Sequence, residues 1–184
     1  MTDRTLVAQQ IGSWLPAADE HQFAQRSKFA LAEAFPIETL YLGSESSSTG
    51  RRFVSENLEL HLIRDERGKA VSYARTRADE QATLLSLTNR SELPELIDQG
   101  LAKLTVTGAE YDGVSIVLQQ SISLAALRLH RDGENMICLL RIEGRETGTP
   151  VALMSADDLF DIASRASADR RDRSKAEVQP DQGL

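Results

Sequence analysis

The carboxylates of Asp157-Asp158-Leu159-Phe160-Asp161 are the residues whose spacing most invites chemistry, because a D-D-x-x-D string can hold a divalent cation against a diphosphate. That chemistry needs a second acidic cluster facing the first, and the sequence supplies none at a matching spacing. A simpler account is electrostatic. Ser155 followed three residues later by Asp158 resembles a capping box, and carboxylates in the first turn of a helix meet the positive end of its dipole. The string therefore predicts a helix start and no metal.

The other candidates for chemistry are weaker. His21, His61 and His130 are scattered, with no pair at the three- or four-residue spacing that places two imidazoles on one helical face, so zinc is not expected. The stretch Gly43 to Gly50 ahead of Arg51-Arg52 has two glycines but not the G-x-x-x-x-G-K-[ST] order of a phosphate cradle, and reads as a flexible loop. No G-x-S-x-G elbow marks a nucleophilic serine. Cys138, the lone cysteine, sits in the apolar run Met136 to Leu140, where a thiol acts as a small hydrophobe. No catalytic residue and no cofactor is expected; an enzyme or small-ligand binder with a pocket between sheet and helices stands as the last alternative.

One feature rises above this background. Between Arg51 and Arg77 the chain carries seven cations against Glu56, Glu59, Asp65 and Glu66, a local +3 in a chain of net −7. Period-two alternation puts Lys69, Val71, Tyr73, Arg75 and Arg77 on one strand face. A tyrosine between guanidinium groups can stack a base and neutralise phosphates. Arg51, Arg52, Arg64, Lys69, Tyr73, Arg75 and Arg77 are therefore the candidate binding face. The bland account is that these cations solvate a surface and pair with nearby carboxylates.

Composition bounds the rest. With 184 residues, 41% apolar and 27% charged, the chain suits one globular domain. A pI near 5.0 argues against wholesale binding to nucleic acid or to an anionic membrane. No run of about 18 apolar residues could cross a bilayer and no leader is evident, so the reading is cytoplasmic with no membrane partner.

The elements that must position these residues follow from periodicity. Val7, Ile11, Trp14 and Leu15 predict a helix ending at Pro16. Asp19 caps a second running through Phe23, Ala30, Leu31 and Ala34 to Pro36, completing an N-terminal helical hairpin. Strands are expected at Ile37 to Leu42, around Leu58 to Ile63, at Ala70 to Thr76 after the turn Asp65-Glu66-Arg67-Gly68, and at Thr83 to Leu87. A helix from Ser91 to Lys103 follows, weakened by Gly100. Strands resume at Leu104 to Thr107, Val114 to Leu118, Ser121 to His130, Met136 to Ile142 and Pro150 to Met154. The Ser155 helix closes a single domain over residues 1–168, and residues 169–184 form a disordered polar tail.

The fold class is α+β: a helical hairpin, mostly antiparallel sheet interrupted by one helix, and a C-terminal helix. Its element order is similar to that of small acidic secretion chaperones, without a shared motif. The function expected is that of a non-catalytic interaction protein (adaptor, chaperone or assembly component) of the bacterial cytosol. Its expected partner is another protein, with a homodimer through an exposed strand edge as a further expectation. A nucleic-acid-binding module using the basic hairpin around Tyr73 is the alternative.

Overall fold

Leu58, Leu60 and Leu62 alternate with Glu59, His61 and Ile63, and this period of two runs through a sheet whose faces carry different chemistry. The computed structural model describes residues 4–14, 30–43, 50–88, 92–106, 111–131, 134–143 and 152–178. Helix α1 (Arg4–Trp14) precedes strands β1 (Ala30–Tyr41), β2 (Arg52–Arg64), β3 (Ala70–Arg77) and β4 (Leu84–Thr88). Helix α2 (Leu93–Val106) leads to β5 (Gly113–Gln119), a 3₁₀ turn (Gln120–Ile122), β6 (Leu124–Arg131), β7 (Glu134–Arg141), β8 (Ala152–Ser155) and α3 (Ala156–Val178). The class is α+β.

The strands form one eight-stranded sheet in the order β4-β3-β2-β1-β5-β6-β7-β8. Two antiparallel meanders, β1 to β4 and β5 to β8, meet at a single parallel pair in which Ile37 lies opposite Ile116. Short turns suffice within each meander. The parallel join needs a crossover, which α2 supplies.

Residues directly opposite one another on paired strands share a face. On one face Phe35, Leu60, Leu62, Ile116, Leu127, Cys138 and Leu140 bury Ile97 and Leu104 of α2. On the other, Val7 and Ile11 of α1 pack on Ile63, Ala74 and Leu84 of the first meander. Leu159, Phe160 and Ala163 of α3 pack on Val117, Ala126, Ile137 and Leu139 of the second. Strand β7 is covered on both faces, as its continuous apolar run predicts.

Local chemistry explains two junctions. Asp65 Oδ1 accepts the amides of Arg67 and Lys69 at 2.9 Å each, and Gly68 takes φ +76°, closing the β2–β3 hairpin. Ser155 and Asp158 form the expected capping box: the Asp158 amide donates to Ser155 Oγ at 3.1 Å, and the Ser155 amide to Asp158 Oδ2 at 3.3 Å.

The chain departs from the sequence reading in three places. Residues 15–29 lie outside the described residues, but Ala30, Leu31 and Ala34, expected on a second helix, belong to β1. Pro36 does not stop a helix; it pairs opposite Glu59 at a register shift, the kind of irregularity where a strand tolerates proline. Leu104 to Val106, read as strand, complete α2, because Leu104 continues the buried stripe one turn beyond Gly100. The polar segment expected to lose structure from Asp169 is helical to Val178. Its arginines hold it: Arg170 bonds the Ser121 carbonyl and pairs with Glu143 at 3.0 Å. Residues 179–184 lie outside the described residues.

Candidate functional site

The pairing of β2 with β3 puts Leu58 opposite Arg77, Leu60 opposite Arg75 and Leu62 opposite Tyr73. Tyr73, Arg75 and Arg77 thus share the α2 face, as alternation predicts. Tyr73 packs partly against the core. Arg75 Nε donates to Ser86 Oγ at 2.9 Å, and Arg77 is exposed. Arg52 joins this face through Tyr41, its cross-strand neighbour, with the guanidinium 5.0 Å from the ring centroid.

The remaining candidates do not join them. Arg64 pairs with Asp98 of α2 at 2.7 Å and with Glu33 at 3.2 Å, which raises its pKa above the ordinary arginine value, chiefly through the Asp98 hydrogen bond. Lys69 lies 3.6 Å from Glu95. Arg51 turns toward α3 and pairs with Asp161 at 2.6 Å. The seven-residue set therefore separates into cations that brace helices (Arg51, Arg64, Lys69) and a group around Tyr41 and Tyr73 (Arg52, Arg75, Arg77). Among the described residues no carboxylate forms an ion pair with Arg52, Arg75 or Arg77.

A second polar constellation, on the opposite face, was not singled out from sequence. Arg128 Nη1 donates to both oxygens of Glu38, at 2.9 and 2.8 Å, while its Nε donates to Asn135 Oδ1 at 3.0 Å. Phe53 lies beneath the guanidinium, 4.1 Å from ring centroid to Cζ. Ser115, only 2% exposed, donates its Oγ proton to Glu38 Oε2 at 3.0 Å and lies 3.3 Å from His130 Nε2. A hydroxyl has one proton, so His130 Nε2 is the donor to Ser115 in this arrangement. Proton direction runs from imidazole to hydroxyl to carboxylate. A nucleophilic serine needs the reverse, its proton passing to the imidazole, and access to substrate. The geometry is that of a braced ion pair.

The signal for this cluster lay in β6. Leu127 and Leu129 face α2, and the alternate positions Leu124, Ala126, Arg128 and His130 share the other face. That second face is covered by α3 at Leu124 and Ala126, so Arg128 and His130 stand where an apolar face turns polar. His61 is also buried, with Nε2 2.9 Å from Thr76 Oγ1 and 3.6 Å from Glu59 Oε2. His21 lies outside the described residues.

Three other sequence candidates resolve structurally. Burial pushes the Cys138 thiol up to about 12. Its bonds with Ser155 hold the Asp158 carboxyl below the ordinary aspartate value, and Asp161 meets Arg51. No group of three or more potential metal ligands occurs among the described residues. None of the described helices is long and apolar enough to cross a membrane.

Helix α2 leaves two flanks of its face open. One is the arginine group with Tyr41 and Val54, both exposed. The other is apolar: Met136 on β7 is 38% exposed and Leu153 on the edge strand β8 is 36% exposed. A depression of about 390 Å³ lined by Arg131, Asn135, Met136, Leu153, Met154 and Ser155 wraps this edge.

Fold and surface together define an α+β protein in which two four-stranded meanders share one sheet and one helix-bearing face is open at both sides. No protein-family model, curated protein or solved structure matches the chain.

Proposed function

We propose that the protein is a non-catalytic interaction protein of the bacterial cytosol, an adaptor, chaperone or assembly component, that receives an extended segment of a partner protein at the edge of β8. The observation that carries this reading is the coincidence of exposed apolar side chains, Met136 and Leu153, with a terminal strand of the sheet. An edge strand presents backbone donors and acceptors on its outer side, and an added strand satisfies them while alternate side chains fill neighbouring depressions. The hollow around Met136, Leu153 and Met154 is placed for such side chains. A second copy of the chain could use the same edge, which would give the homodimer expected from sequence.

Affinity capture from the source organism, run in parallel with wild type, Leu153→Glu and the remote control Val106→Glu, tests the reading. A stoichiometric companion retained by wild type and Val106→Glu but lost by Leu153→Glu, with unchanged circular dichroism, is the expected result. A companion retained equally by all three would place the interface elsewhere, and the absence of any companion together with a monodisperse monomer would remove the reading.

A further inference from the structure

We infer that the open flank of the α2 face formed by Tyr41, Arg52, Val54, Arg75 and Arg77 is a binding surface for single-stranded nucleic acid, separate from the β8 edge. Charge is the first ground. The candidate cations divide by their partners: Arg51, Arg64 and Lys69 lie against Asp161, Asp98 and Glu95, whereas Arg52, Arg75 and Arg77 form no ion pair with a described carboxylate. The neutralised cations hold helices in place, and the three left over all lie on one face of adjoining strands. Glu56 is exposed on the same strand as Arg52, Glu59 lies opposite Thr76, and Asp79 and Glu80 follow Arg77 in the chain.

The second ground is shape. Tyr41 is 50% exposed and carries Arg52 against its ring, so an aromatic plane and a guanidinium plane stand together. The distance from Arg52 toward Arg77 is set by β1, because β2 bulges at Asn57 (φ 52°): Tyr41 and Pro36 lie opposite Arg52 and Glu59, five residues apart, or roughly 17 Å at about 3.3 Å per residue. Arg75 and Arg77 follow at alternate positions, about 7 Å apart along β3. The surface is a track with a stacking platform at one end and cations along it, the combination that binds single strands without sequence preference.

The third ground is the chemistry of the side chains. Arg75 lies on a strand paired with both β2 and β4, while Arg52 to Ser55 of β2 pair with β1 and extend beyond the last β3 pair, Leu58 with Arg77. Planar stacking and salt-dependent phosphate contacts suit bases and phosphates, and guanidinium groups bind phosphate oxygens in pairs.

Fluorescence anisotropy of a labelled deoxythymidine 20-mer, titrated with full-length protein at several salt concentrations, is the test. Binding should weaken with salt with a slope of about −2 in log–log form, the value for roughly three neutralised phosphates on a single strand. Arg77→Glu should weaken binding about tenfold, and Arg75→Glu with Arg77→Glu further, while Tyr41→Ala should cost roughly fivefold or more through lost stacking. Leu153→Glu should leave binding unchanged, which separates failure here from failure of the β8 edge. No binding at 50 mM salt, or equal affinity for wild type and Arg77→Glu, would overturn the inference. A polyglutamate peptide that displaces the oligonucleotide at equal charge concentration would overturn it in favour of an acidic protein partner.

Discussion

Glu38 is an acidic residue on a covered sheet face, and what makes it tolerable there is the set of donors around it: Arg128 Nη1 and Ser115 Oγ reach it at 2.8 to 3.0 Å. A carboxylate so supplied is not left as an isolated charge in a poor solvent. Cys138 is the opposite case, a group kept neutral because burial outweighs the one nearby charge that favours its ionised form. Desolvation raises it, and Lys103 opposes only in part. The unfolded thiol ionises near 9.0, while the folded one keeps its proton to about 12. Across that window the unfolded state binds fewer protons, so stability falls as pH rises. Urea denaturation of wild type and Cys138→Ala should therefore diverge above pH 9, with the wild type losing stability faster. At pH 8 the thiol should react with a disulfide reagent only as fast as the protein unfolds. Rapid labelling of the folded protein would show that the thiol is accessible.

Gly100 shows how an element can contradict the cost assigned to it from sequence. Propensity alone says that alanine would strengthen α2 by up to about 1 kcal/mol. A Cβ there would come within 2.7 Å of Leu140 Cδ2 and 3.0 Å of Leu127 Cδ1, because α2 lies directly on β6 and β7 at this turn. Overpacking of a fitted core costs about 1–3 kcal/mol, which outweighs the propensity gain. Gly100→Ala should lower the unfolding free energy by about 1 kcal/mol, the middle of the overpacking range less the propensity gain, read from the urea midpoint at constant slope; an unchanged or higher midpoint would mean that the leucines move aside. Elements defined by their own residues were legible in advance: the capping box at Ser155, the Asp65 turn, the alternation of β2 and the doubly covered β7. Ala30 to Pro36 was not, because its small apolar residues suit either helix or strand and only pairing with β2 decides. The candidate surface was legible to the same degree. Alternation placed Tyr73, Arg75 and Arg77 together, but Asp98, Glu95 and Asp161, which take Arg64, Lys69 and Arg51 out of that set, are distant in sequence.

At the scale of the molecule, the chain has two meanders that could have been separate folding units, and the way its core is shared argues that they are one. Ile97 and Leu104 of α2 pack into a cluster that draws Phe35, Ile37, Leu60 and Leu62 from the first meander and Ile116, Leu127, Cys138 and Leu140 from the second. The parallel pair of β1 and β5 runs beneath it, so the seam between the halves is covered core. Truncating a side chain at this seam should weaken both halves together. Ile97 is fully buried, and Ile97→Ala is expected to cost about 2–5 kcal/mol, the range for deleting a buried branched side chain and leaving a cavity. The wild type should unfold in one transition by both far-ultraviolet circular dichroism and tryptophan fluorescence, and the variant in one transition at lower denaturant. Amide exchange in the variant should accelerate by similar factors in β2 and in β7, which lie on opposite sides of the seam. Accelerated exchange confined to one meander, or two separated transitions, would show that the halves fold independently and that α2 merely bridges them.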